Sequence, residues 1–230
     1  MASLVQKLER LSQMDRREIA CRLRQAISRR QERLLPGSRL RSLPDAELRS
    51  ALRMTPAELL DHLRTRQAPR FFEGINAPPK DGRWLERTLR HAERVRQGRF
   101  DLLAYEGLRF DDPSGGLRWN FDPVAGVEAP QIDFSQIDFL DPGAVGDSKV
   151  IWELSRFQFA FDLGKAYVLT GDELWAEAYF GLFFDWLKKN PPGIGINWCS
   201  SLELAFRGIS WIWAHHLLLR SASYTPQAAW

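Results

Sequence analysis

Cysteine is scarce in this sequence: its 230 residues include two, Cys21 and Cys199, with no CxxC spacing. A disulfide framework is thereby excluded. The four histidines (His62, His91, His215, His216) form no ligand pattern with the cysteines, so no metal site is expected. No cofactor is expected either. The N-terminus MASLVQKLERLSQMDRR lacks the apolar core of a signal peptide, and no apolar run approaches the ~20 residues of a membrane helix. The chain as written is therefore expected in the cytoplasm, with no membrane partner. No nucleic-acid motif appears, and no repeat of fixed period is clear enough to count.

Apolar and aromatic residues are plentiful. Hydrophobic residues make up 44% of the chain, enough to build a core. Seven of the nine tryptophans lie after residue 150. Each is either a large core residue or a flat face for a ligand. The net charge of +3 is unevenly spread. Met1–Arg66 holds 15 Lys/Arg against 8 Asp/Glu, and the remainder holds 17 against 21. In the first part the cations alternate with acids and Leu at helical spacing, which describes a solvated amphipathic face and not a nucleic-acid stripe. Residues 1–66 thus read as a basic amphipathic helical segment, and 67–230 as the main domain.

Leu, Ile and Val recur every three or four residues from Ser3 to Leu35, predicting one or two helices ended near Pro36–Gly37. A short helical pair follows. Its second member opens at Thr55-Pro56-Ala57-Glu58, a capping box with proline in the first turn. Residues 68–79 read as a linker, and a further helix spans about Gly82 to Gln97. The middle, Phe100 to Gly146, is dense in turn signals (DDPSGG, DPVAG, LDPG) and predicts a covering loop with a strand or two around Leu103–Phe110.

Beyond Asp147 the pattern is helical. Asp147 caps a helix to about Leu169, which Gly171 ends; Asp172 caps a second to about Lys189; Asn190-Pro191-Pro192-Gly193 breaks it. Ser200-Ser201-Leu202-Glu203 reads as another capping box, opening a helix to about Arg220. Short links between long helices favour antiparallel neighbours. The fold class is mainly α: stacked αα-hairpins forming part of an incomplete α/α toroid, with a loop-rich middle.

Two segments could carry chemistry. In GDSKVIWELSR, Lys149, Trp152, Glu153 and Arg156 stand at i, i+3, i+4 and i+7 on one helical face. They form either a solvated ion pair over a core indole or a wall for an acidic sugar, with Arg pairing an acid group and Trp stacking on the ring. In GINWCSSLELAFR, Asn197 and Trp198 precede a helix start, where the positive helix end meets anions. Glu203 and Arg207, one turn apart, could form a stabilising pair. His215 and His216 lie mid-helix among apolar residues and read as packing residues.

Together with WNFDPVAGVEAP, LTGDE and NPPGIGINW, these motifs resemble, in order, the heparinase II/III-like N-terminal domain, over about residues 70–219. The resemblance implies a polysaccharide lyase with a helical toroid followed by a β-sandwich, cleaving uronic-acid glycans of heparan sulfate or alginate type by β-elimination. It implies an acidic polysaccharide partner, and periplasmic or secreted location becomes an alternative. By resemblance, Asn197 matches the catalytic asparagine that contacts the substrate carboxylate. Trp152, Arg156, Trp198, Lys149, Glu203 and Arg207 would line or support the cleft. The family's Tyr and His proton-transfer groups follow in later helices and in the β domain, so this chain is expected to stop short of its base. The alternative reading is a non-catalytic helical protein that binds acidic glycans or acts as a scaffold.

Overall fold

The computed structural model describes residues 45–66 and 82–230, with single positions and a short helical stretch between 15 and 27. The chain divides into two compact units, Met1–Ser42 and Leu43–Trp230. In the first, Asp15 Oδ1 accepts from Glu18 N at 2.7 Å, an N-terminal cap for helical residues 17–21. The rest of the helix expected over Ser3–Leu35, and the linker at 68–79, lie outside the described residues.

Composition marks a boundary at residue 66, whereas contacts mark it at 42. Helices α1 (Asp45–Leu52) and α2 (Pro56–Thr65) belong to the larger unit. Arg64 shows why: its guanidinium donates to the carbonyls of Leu219 (3.1 Å), Ser221 (2.9 Å) and Tyr224 (3.1 Å). The Thr55–Glu58 capping box is present, with Thr55 N donating to Glu58 Oε2 at 2.7 Å.

Helix α3 (Gly82–Arg96) buries Thr88, Ala92 and Val95, one face at i, i+4 and i+7. A hairpin follows, β1 (Phe100–Leu102) pairing antiparallel with β2 (Tyr105–Leu108). Leu103 takes a positive φ in its turn. A second small pair joins β3 (Phe121–Asp122) to β4 (Val127–Glu128). Helix α4 (Pro142–Val145) leads to α5 (Ser148–Ser155), α6 (Ala160–Thr170), α7 (Glu173–Lys189), a 3-10 turn (Ile196–Trp198), α8 (Ser201–Leu218) and α9 (Pro226–Ala229).

The caps explain most of these ends. Asp147 accepts from Lys149 N, Asp172 accepts from Leu174 N, and Gly171 closes α6 in the left-handed region at φ 69°. Two expectations are corrected. The single helix predicted from Lys149 to Leu169 is broken at Phe157, whose φ is 60°. A bulky residue rarely adopts that region unless its surroundings over-determine it. Here the ring is fully buried, stacked on Trp119 at 5.2 Å and edge-on to Trp211 at 5.8 Å. Hydrophobic periodicity misses the break because the residues of the break, Phe157 and Phe159, are themselves core. The box expected at Ser200 also fails to form: Ser200 makes no capping bond, and Glu203 turns inward.

Helix α6 is central, packed by α3, α7 and α8. Gly164 lets α8 approach: a Cβ there would lie 2.6 Å from Leu217 Cδ1. The loop-rich middle is tied to α7 by two side chains. Asp185 Oδ2 accepts from Leu117 N (2.9 Å) and Trp119 Nε1 (2.8 Å). Lys189 Nζ donates to Asp112 Oδ2 and to the carbonyls of Gly115 and Leu117.

Candidate functional site

The site expected from sequence surrounds the turn between α7 and α8. Asn190 ends α7, its Nδ2 donating to Trp186 O at 2.9 Å. Its Oδ1 accepts from Asn197 Nδ2 at 2.9 Å and from Asn120 Nδ2 at 3.3 Å. Asn197 Nδ2 also donates to Trp119 O at 3.0 Å. Three buried asparagines thus join the middle segment, the end of α7 and the 3-10 turn. Trp152 secures the same turn from α5, its Nε1 donating to Ile196 O at 3.0 Å while Phe139 covers the ring at 5.3 Å.

Arginines complete the network. Arg156 grips Glu203 in bidentate fashion (Nε 2.6 Å, Nη2 2.9 Å) and gives Nη1 to Glu153. The Glu203 hydrogen bonds come first among the causes that raise its pKa. Arg207 donates Nη2 to Asn197 O at 2.8 Å and lies 4.2 Å over the Trp186 ring. Burial pulls its pKa down to about 10. Trp198 is half-buried and tilted against Trp186 at 5.9 Å. Lys149 is exposed on α5.

Several expected contacts with substrate are therefore corrected. Asn197 is 0% exposed. Its amide hydrogens face Trp119 O and Asn190 Oδ1, leaving an acceptor, which repels a carboxylate instead of binding it. An amide flip would set Oδ1 against the Trp119 carbonyl, so the orientation is fixed by chemistry. Trp152, Glu203 and Arg207 are buried, and Arg156 spends its donors on two carboxylates. Glu203 pairs with Arg156, not with Arg207. Asn197 and Trp152 meet around one turn as an internal brace, while Arg156 binds Glu203 and Glu153, so the three do not share an open concave surface.

The model of the family described as Heparinase II/III N-terminus matches residues 38–228. The chain belongs to the heparinase II/III N-terminal family. A heparin-sulfate lyase of Bacteroides stercoris is 40% identical over 47 residues, 20% of this chain and 7% of that protein. The solved heparan sulfate lyase HepC of Pedobacter heparinus aligns with a TM-score of 0.51 at 20% identity, covering 79% of this chain and 25% of that one. A HepC mutant gives the same score over 75% and 24%. The mainly helical fold is thus similar to HepC, and the chain spans about a quarter of the HepC chain.

In this heparinase II/III domain a cavity of about 570 Å³, not anticipated from the sequence, lies beside Arg156. Glu153 and Phe206 form the edge nearest Arg156, and Phe159 and Phe161 line it from the α5–α6 turn and α6. The lining also includes His91, Arg94, Arg99 and Lys165, with Asp101 and Asp162. Arg94 pairs with Asp101, and burial raises the Asp162 carboxyl despite Lys165 and His91 at 3.9 Å each. These residues come from α3, the hairpin, α6 and α8, and no local spacing announces their meeting.

His215 and His216 pack at the other end of α8, as expected of helix-packing residues. Tyr224 OH meets His215 Nδ1, and burial drives His215 down to about 4. They line a separate cavity of about 350 Å³, walled by Tyr179, Phe180, Phe183 and Trp211. Among the described residues, no group of three or more His, Cys, Asp or Glu could hold a metal, and no helix is long and apolar enough to cross a membrane.

Proposed function

We propose that this domain is the helical N-terminal part of a polysaccharide lyase that cleaves uronic-acid-containing glycans by β-elimination. The observation that carries the reading is the family match across residues 38–228. The cavity beside Arg156 supports it chemically. Arg99 and Lys165, set among Asp101, Asp162 and Glu153, supply positive charge for an acidic sugar, and Phe159, Phe161 and Phe206 supply apolar faces. In this reading Asn197, Trp152, Glu203 and Arg207 are positioning residues that fix the α7–α8 turn. Arg156 holds Glu153 and Phe206 at the cavity edge, with Phe206 under its guanidinium at 4.9 Å. Trp198 and Lys149 remain candidates for peripheral substrate contact.

β-Elimination needs a base for the C5 proton, a donor to the leaving oxygen, and stabilisation of enolate-like charge. We assign proton transfer to groups outside these 230 residues. The His215–Tyr224 pair shares no lining residue with the cavity beside Arg156, which supports that assignment.

The test compares residues 1–230 with a longer protein that contains them, following the ultraviolet absorbance of unsaturated uronate on heparan sulfate and alginate. Product is expected from the longer protein and little or none from residues 1–230. Cleavage by residues 1–230 alone would return the base to this chain, with His215 first in line. Binding without cleavage by the longer protein would make the domain a glycan-binding module.

A further inference from the structure

Among the described residues, four buried side-chain polar atoms have no hydrogen-bond partner: Asn197 Oδ1, Trp198 Nε1, Arg207 Nη1 and Trp211 Nε1. They are clustered, not scattered. Asn197 and Trp198 are neighbours on the 3-10 turn, and Arg207 and Trp211 are one turn apart on α8. The Arg207 guanidinium joins the two pairs. It donates to Asn197 O, and its carbon lies 5.6 Å from the Trp198 ring centre and 5.9 Å from that of Trp211. Folded proteins leave few buried polar groups unpaired, and a cluster of them signals a bound ion or water.

The chemistry of the four atoms narrows the choice. Three are N–H donors and one is an acceptor, so what they lack is mostly an acceptor. Arg207 is 2% exposed and makes no ion pair with a carboxylate among the described residues. Glu203 acts on it electrostatically, but both Glu203 oxygens are held by Arg156. The Trp186 face answers only part of the charge.

We propose that this cluster is an internal site for a small monovalent anion of about chloride size. Arg207 Nη1 and the indole N–H groups of Trp198 and Trp211 hold the anion, and a water beside it donates to Asn197 Oδ1. Asn197 at 0% and Arg207 at 2% exposure keep these two groups out of reach of a bulky sugar acid. The site is therefore structural and independent of the lyase reading. Its anion neutralises Arg207 where that side chain ties α8 to the turn.

The test is thermal unfolding of residues 1–230 at constant ionic strength, with gluconate replaced stepwise by chloride. Tm is expected to rise and saturate with chloride, bromide is expected to substitute, and crystals in bromide should show an anomalous peak beside Arg207 Nη1. Trp198→Phe and Trp211→Phe keep the ring and remove one donor, so each should raise the half-saturating chloride concentration about tenfold. A wild-type Tm that is the same in chloride and gluconate, or a water in place of the bromide peak, overturns the proposal.

Discussion

Replacing Asn197 by alanine separates a substrate contact from an internal brace. Alanine removes the donors to Trp119 O and Asn190 Oδ1 and leaves both acceptors buried. Trp119 O is then abandoned, at about 1–3 kcal/mol, while Asn190 Oδ1 keeps Asn120 Nδ2 at 3.3 Å and loses one hydrogen bond worth about 0.5–1.5 kcal/mol. The net expectation is a loss of about 2–4 kcal/mol. For a domain of this size that lowers Tm by roughly 5–15 °C. Asn197→Asp should be at least as damaging, because a carboxylate would face the Trp119 carbonyl. The assay is urea and thermal unfolding followed by tryptophan fluorescence, beside turnover in a longer lyase that contains the domain. If Asn197→Ala melts within a degree of wild type while turnover collapses, the brace is refuted and a direct catalytic contact restored.

Other perturbations test other links. Arg156→Met strands Glu203, 4% exposed, and should cost about 3–5 kcal/mol, whereas Arg156→Met with Glu203→Leu should recover much of that; urea unfolding of both variants checks it. Gly164→Ala pushes a Cβ to 2.8 Å from Leu217 Cβ and should cost about 1–3 kcal/mol, with an unchanged Tm counting against the close α6–α8 approach. The folded-state pKa of His215 is depressed from 6.5 to about 4, chiefly by burial, so the unfolded chain binds the extra proton. Stability should therefore fall as pH drops from about 6.5 towards 4, by on the order of 2 kcal/mol after discounting for partial exposure, and His215→Gln should flatten that slope in pH-dependent unfolding. Arg99→Glu and Lys165→Glu, at the cavity, should raise KM for an acidic glycan about tenfold with little change in Tm; unchanged KM would remove the cavity from the substrate path.

The helix ends were readable because their signals are local. Asp147, Asp172, Thr55 and Gly171 cap in the structure through atoms within a few residues of themselves. The break at Phe157 was not readable, since its cause is a ring stacked on Trp119, 38 positions away. Spacing put Trp152 and Arg156 on one helical face but could not say that Trp152 would bond Ile196 and Arg156 would bond Glu203. A helix packed on two sides has polar positions inside as well as out, and Glu203 at 4% exposure is one. The cavity beside Arg156 was invisible because α3, the hairpin and α8 meet there only through tertiary packing.

The burial of the motif residues bears on what such motifs mean. GDSKVIWELSR and NPPGIGINWCSSLELAFR carry the resemblance, and their most distinctive side chains are bonded to one another or to backbone inside the domain. Three bonds of this network join segments far apart in sequence: Trp152 to Ile196, Arg156 to Glu203, and Asn197 to Trp119. A buried polar group of this kind tolerates few replacements, because any substitute leaves a partner unsatisfied in a medium where that is expensive. A surface that meets a glycan is under a looser constraint, since charge and apolar area can be supplied by different residues at different positions. The residues that identify the domain are thus expected to be its brace, and any that select a sugar are expected elsewhere, on walls such as that of Arg99 and Lys165. Two glycan lyases sharing this brace could then differ in substrate without differing in the motif that makes them recognisable.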